Sequence, residues 1–237
     1  MMNPIKCTVL AIVLVTKMAL SVNAQLVNDM LNTGNNIRGL MLDNLREINL
    51  YGDPAVKHYE GSPYQNDDFK KGTVQKNNSV YTNLDLRYNI FDDWVEFKRD
   101  DRAMIIDPDH QIGKVEIGDD NYVVKRYDFK GKAQWGFLLE LNSGKASLYA
   151  KSIVSFREAR EPKALEAEGT PAEYLRLADT FYFEIGDESI AKVTNIKKMI
   201  HGFPDKQEEL NAFAKKNKIS PKRAEDLIKL FQYYNSL

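Results

Sequence analysis

Apolar and polar side chains alternate with a period of two through much of the middle of the chain, the pattern of strands with one buried and one wet face. Val95 and Phe97 stand against Glu96 and Lys98, and Val115 and Ile117 against Lys114 and Glu116. Runs of β-branched and aromatic residues bounded by polar turns predict strands over 72–75, 80–88, 94–98, 103–106, 113–117, 122–127, 135–141 and 147–156. The connections carry Asp92-Asp93, Asp100-Asp101, Gly118-Asp119-Asp120-Asn121 and Asn142-Ser143-Gly144. These residues tolerate left-handed backbone or bond their own main chain, and such short links imply antiparallel neighbours.

The period changes on either side of this region. Between Gln25 and about Tyr51, Leu40, Leu42, Leu45, Ile48 and Leu50 fall close to one helical face, with Asp43, Arg46 and Glu47 opposite, which predicts a modest N-terminal helix. Gly52-Asp53-Pro54, Gly61-Ser62-Pro63 and Asn66-Asp67-Asp68 make 52–68 a loop. A charged stretch interrupted by Pro162, Gly169 and Pro171 reads as a linker over about 158–171, and Gly186-Asp187-Glu188 joins two further strands, 180–185 and 189–194. Asn195 can cap a helix over 196–201, Asp205 one over 206–216, and Ser220 with Pro221 one running to about residue 234. On the last of these, Ala224, Leu227, Ile228, Phe231 and Tyr234 form an apolar stripe that packs most simply on Leu210, Phe213 and Ala214. Arg87-Tyr88-Asn89-Ile90 and Arg126-Tyr127-Asp128-Phe129 are alike, each followed by a Trp-containing strand, but four residues without a longer period do not make a repeat. The expected fold is mainly β (α+β): an antiparallel meander rolled or folded around one core, with an N-terminal helix and a C-terminal helical hairpin. Its divisions are a leader over 1–24, a lead-in over 25–71, a β domain over 72–194 and a helical segment over 195–237. A transmembrane barrel is the rival for so many short strands; it would close on a strand rather than on an amphipathic helix.

The first 24 residues form a unit of their own: a charged start through Lys6, an apolar run from Thr8 to Val15, and small residues at Val22-Asn23-Ala24. This reads as a signal peptide cut before Gln25, with Lys17 as the one charge out of place. Cleavage would leave 213 residues, enough for one sizeable core, without Cys7, the only cysteine, and hence without disulfide, thiolate metal site or acylated N-terminus. It also leaves 31 Lys and Arg against 34 Asp and Glu, so the charge demands no polyanionic partner.

Chemical motifs are sparse. A nucleophilic serine needs a base, but His58, His110 and His201 come with no Gly-x-Ser-x-Gly elbow. Gly144-Lys145-Ala146-Ser147 lacks the first glycine and the hydroxyl of a phosphate loop and reads as a hairpin turn, and no Gly-x-Gly-x-x-Gly follows a strand. Asp107, Asp109 and His110 lack calcium-loop order, no His-x-x-x-His exists for zinc, and the expectation is a protein without metal or cofactor. Paired acids for glycoside hydrolysis can lie far apart in sequence and stay open. Residues 195–237 carry a local balance of +4, a solvated helix face rather than a nucleic-acid surface.

Glu60-Gly61-Ser62-Pro63-Tyr64, Phe69 with Gly72-Thr73-Val74, Leu86-Arg87-Tyr88-Asn89, Glu96-Phe97-Lys98, Asp226-Leu227-Ile228 and Tyr233-Tyr234-Asn235 together resemble a group of secreted proteins of Bacteroidota-type bacteria. The resemblance implies export into a Gram-negative envelope, to the periplasm or peripherally attached, and brings no established activity or catalytic residues. The expectation is therefore a non-enzymatic binding or scaffold protein of the envelope whose partner is a protein, a glycan or a lipid. An envelope glycan hydrolase using a carboxylate pair and a structural subunit of an outer-membrane assembly are the alternatives. Arg87, Tyr88, Trp94 and Trp135 are the candidate contacts, because aromatic and Arg side chains supply most contact energy at such surfaces. For Arg87-Tyr88-Asn89 the competing structural reading is a buried Tyr with its hydroxyl satisfied near a turn.

Overall fold

A computed structural model describes residues 47–49, 59–100, 102–162, 169–186 and 188–237. The expected signal peptide, the loop residues before Tyr59 and most of the expected N-terminal helix lie outside the described residues. Among the described residues twelve strands are formed: β1 (Glu47–Asn49), β2 (Tyr59–Glu60), β3 (Lys70–Lys76), β4 (Ser79–Asn89), β5 (Trp94–Arg99), β6 (Arg102–Ile106), β7 (Ile112–Ile117), β8 (Asp120–Phe129), β9 (Lys132–Asn142), β10 (Ala146–Arg157), β11 (Ala172–Ile185) and β12 (Ala191–Lys192). Three helices follow: α1 (Ile196–His201), α2 (Gln207–Lys216) and α3 (Ala224–Ser236). The strands join in one sheet in the order β1-β6-β5-β4-β3-β7-β8-β9-β10-β11-β12, and β2 adds to β11. Neighbours along this path are antiparallel; β2 runs parallel to β11. Tight links explain this, and Asp93, Asp100 and Gly118 take the positive φ that turn chemistry asks for.

Several expectations are corrected. Glu47–Asn49 is not helical but pairs with β6, Ile48 opposite Ala103. An edge strand offers unpaired main-chain groups, and satisfying them outweighs a short amphipathic pattern. β11 begins at Ala172, eight residues before the expected strand, and β12 keeps only two residues of the expected 189–194. Asn195 caps α1 as expected, its Oδ1 accepting from the Lys198 N–H at 2.7 Å. Asp205 does not cap α2: it accepts from the Tyr234 hydroxyl at 3.0 Å, and Lys206 stands at the N-cap in left-handed conformation. α3 starts three residues after Pro221, because Asp226 turns back to accept from the Ser220 N–H (2.9 Å) and from Arg223 Nε (2.8 Å).

The sheet does not lie flat. β4 and β10 are five places apart in the strand order, about 24 Å across a flat sheet. Yet Lys151 Nζ on β10 lies 3.0 Å from the Tyr88 hydroxyl on β4. The sheet therefore rolls so that β3–β7 face β8–β11 across a core that includes Leu86, Tyr88, Phe97, Val115, Tyr122 and Phe137. β8 and β11 also approach, with the Tyr182 hydroxyl donating to the Asp128 carbonyl at 2.9 Å, and this curl encloses Tyr127, Leu138, Tyr149 and Tyr182. Helices α1–α3 cover a third cluster, in which Leu210, Leu227, Leu230 and Phe231 meet Leu148, Phe181 and Phe183. The α3 stripe thus packs on strands as well as on α2.

Candidate functional site

The turn between β4 and β5 closes the roll. β9 and β10 pair over only Leu139–Ala150, Glu140–Tyr149 and Asn142–Leu148, then separate. The main chain of Phe137, beyond the last pair, takes its partners from side chains. Its N–H donates to Asp93 Oδ1 at 3.3 Å, and its carbonyl accepts from Lys151 Nζ at 3.1 Å. Asp93, at φ 58°, also accepts from the Tyr88 hydroxyl at 2.8 Å and forms an ion pair with Lys151 at 2.5 Å. Gly136 makes room for the wedge: a Cβ there would stand 2.7 Å from Asp93 Oδ2 and 2.7 Å from the Tyr127 ring.

Burial holds the Lys151 amine below its usual pKa, an effect that Asp93 opposes, and burial with the Asp93 charge pushes the Tyr88 phenol up. A lysine, a carboxylate and a phenol form a constellation that catalysis can use. Here each group satisfies the others, and the Lys151 side chain is 5% exposed, so the arrangement acts as a lock on the roll.

A second node lies one residue earlier. Arg87 donates to Glu96 Oε2 from Nε (3.2 Å) and Nη2 (2.7 Å), and to the Asp67 carbonyl from Nη1 (2.9 Å). Its guanidinium lies 3.7 Å from the Tyr64 ring centroid and 4.4 Å from that of Phe69. Glu96 is fully buried, and its other oxygen accepts from Trp94 Nε1 at 3.0 Å and from the Tyr64 hydroxyl at 3.4 Å. Among the four residues expected at a partner surface, Arg87, Tyr88 and Trp94 thus have polar groups bonded inside the protein. Trp135 is exposed, its ring centroid 6.3 Å from that of His110.

Another group of rings is gathered on the surface. Tyr59 (39% exposed), Phe91 (41%) and Phe156 (42%) surround the half-buried Tyr174. Tyr174 lies 5.0 Å from Tyr59, 5.3 Å from Phe91 and 4.8 Å from Phe156 between ring centroids. β2, the β4–β5 turn, β10 and β11 each contribute one ring. The only local signal is the register pair Phe156–Tyr174, so the sequence offers no motif for this cluster. Arg176, two residues along β11 from Tyr174 and so on its face, donates from Nη2 to Gln65 Oε1 and Ser152 Oγ, both at 2.8 Å, whereas the Arg157–Glu173 ion pair alternates to the opposite face. Among the described residues no three His, Cys, Asp or Glu side chains converge as metal ligands, and no helix is long and apolar enough to cross a membrane. Comparison of the chain with protein-family models, curated proteins and solved structures found no match.

Proposed function

We propose that the chain is an exported, envelope-associated protein that binds a protein, glycan or lipid partner, without catalysing a reaction, through the Tyr59, Phe91, Phe156 and Tyr174 cluster. The exposure of three of these rings, with the hydrogen-bonded Arg176 on the same face of β11, carries this reading. An apolar centre inside a polar rim is the anatomy of a contact surface, and aromatic rings give large contact area at small entropic cost. The interior bonding of Arg87, Tyr88 and Trp94 favours this cluster over them; Trp135 stays as a secondary contact.

A photo-crosslinking residue at position 91 or 156, used in intact cells, tests the surface. Adducts at discrete mass are expected, and they should vanish when the crosslinker stays at 156 and Phe91 and Tyr59 become Ser. Undiminished adducts in a variant with an unchanged circular-dichroism spectrum would sink the assignment. N-terminal sequencing of the same material should begin at Gln25; a protein still starting at Met1 or Met2 would remove the export half of the proposal.

A further inference from the structure

We propose that the cavity between α1 and α2 binds a small hydroxylated anion, of the size and chemistry of a hexuronate or a hexose phosphate. The cavity holds about 350 Å³ and is lined by Asn195, Lys197, Lys198, His201, Gln207 and Asn211. That volume lies at the low end for small-molecule sites and suits one sugar ring rather than a polymer. Its charge is one-sided: two ammonium groups and an imidazole, no carboxylate, in a chain whose Lys and Arg (33) nearly equal its Asp and Glu (34). The first turn of α1 carries no acid, and on α2 Glu209 is held at 3.3 Å by Lys206.

The amides define what else the ligand must offer. Gln207 Nε2 donates to the His201 carbonyl at 3.3 Å and to that of the buried Phe203 at 2.7 Å, so both of its N–H groups bind main chain. These bonds tie the end of α1 to the start of α2 and leave the Gln207 amide oxygen as the group available to a ligand. Asn211 Nδ2 likewise donates to the Gln207 carbonyl at 2.7 Å. Cations for an oxyanion beside amide oxygens for hydroxyl donors match a sugar acid or sugar phosphate and mismatch a neutral or cationic ligand.

NMR titration of the full-length protein with glucuronate, with glucose 6-phosphate and with glucose as the neutral control decides the matter. Saturable shifts of the His201 ring and of the Gln207 and Asn211 side-chain amides are expected with one or both anions, and which one binds separates carboxylate from phosphate. The double variant Lys197→Met, Lys198→Met alters two exposed side chains, so the fold stays, and it should weaken binding at least about tenfold through loss of charge-assisted hydrogen bonds. Absence of saturation with both anions, equal response to glucose, or undiminished binding by the double variant would each overturn the proposal. The cavity is separate from the aromatic cluster, so either assignment can fail while the other stands.

Discussion

Asp93 and Lys151 show how much of this protein rests on contacts between residues distant in sequence. Each satisfies the other's charge, with the Lys151 side chain 5% and the Asp93 side chain 19% exposed, so the lysine above all becomes a liability alone. Lys151→Met would leave the partly exposed Asp93 carboxylate with only the neutral donors Tyr88 and the Phe137 N–H, and Asp93→Asn would leave a buried ammonium. Asp93→Asn should cost about 3–5 kcal/mol, Lys151→Met less, and the double variant clearly less than the two together. Urea unfolding of the four proteins checks this, and simple additivity would mean the ion pair carries no coupling. The sequence told part of this in advance. A buried Tyr88 with its hydroxyl satisfied near a turn is the structural reading of that segment, and the acceptor is the turn residue Asp93. Lys151 was not legible: in an alternating run a lysine reads as a wet-face position, and nothing local says that the sheet rolls to bring Tyr88 over it. Glu96 was hidden in the same way, standing as the polar partner of Val95 and Phe97 while being fully buried under Arg87.

Elements whose turns have strong chemistry were legible. β4, β5 and β7 lie within a residue or two of their expected spans because Asp, Asn and Gly end them. The first half of β11 was missed because Glu173, Leu175, Arg176, Leu177 and Ala178 are residues of good helix propensity. Pairing with a twelve-residue β10 overrides that preference, as strand formation commonly does. The C-terminal helix is held by a device that its apolar stripe does not reveal. Asn235 Oδ1 accepts from the Ala146 N–H at 2.9 Å, and its Nδ2 donates to the Ala146 carbonyl at 2.9 Å and to the Ser143 carbonyl at 3.3 Å. One side-chain amide thereby completes the main-chain bonding of a fully buried residue at the β9–β10 turn. Asn235→Ala orphans the Ala146 N–H, leaves its carbonyl only the 3.5 Å contact from Asn142 Nδ2, and should cost about 1–3 kcal/mol. Equilibrium unfolding measures that loss, and hydrogen exchange should place it at Ala146. A variant as stable as the parent would show that water replaces the amide at no cost.

Across the whole molecule the buried phenols set the alkaline limit. Tyr64, Tyr88, Tyr122, Tyr127, Tyr149 and Tyr182 all have pKa values raised above the usual value near 10, with burial the first cause in every case, and Tyr182 is pushed up to about 12. A phenol with a raised folded pKa contributes stability that is complete below pH 10 and fades as pH climbs toward the folded value, because the unfolded chain has already released its proton. Each such phenol lowers stability by about 1.4 kcal/mol per pH unit in that window. Lys151 works the other way: its folded pKa is depressed, so between that value and the usual 10.5 the unfolded chain holds a proton that the folded one lacks, and stability rises with pH. One amine cannot offset six phenols. Stability should therefore hold between about pH 7 and 9 and collapse above about pH 10, with the tyrosinate absorbance of the six enclosed phenols and the loss of the β circular-dichroism signal appearing in one cooperative step, apart from that of exposed rings such as Tyr59. The two probes separate the alternatives: all twelve tyrosines of the chain forming tyrosinate near pH 10 while the sheet signal persists would mean that these six rings are open to solvent and that the roll does not enclose them.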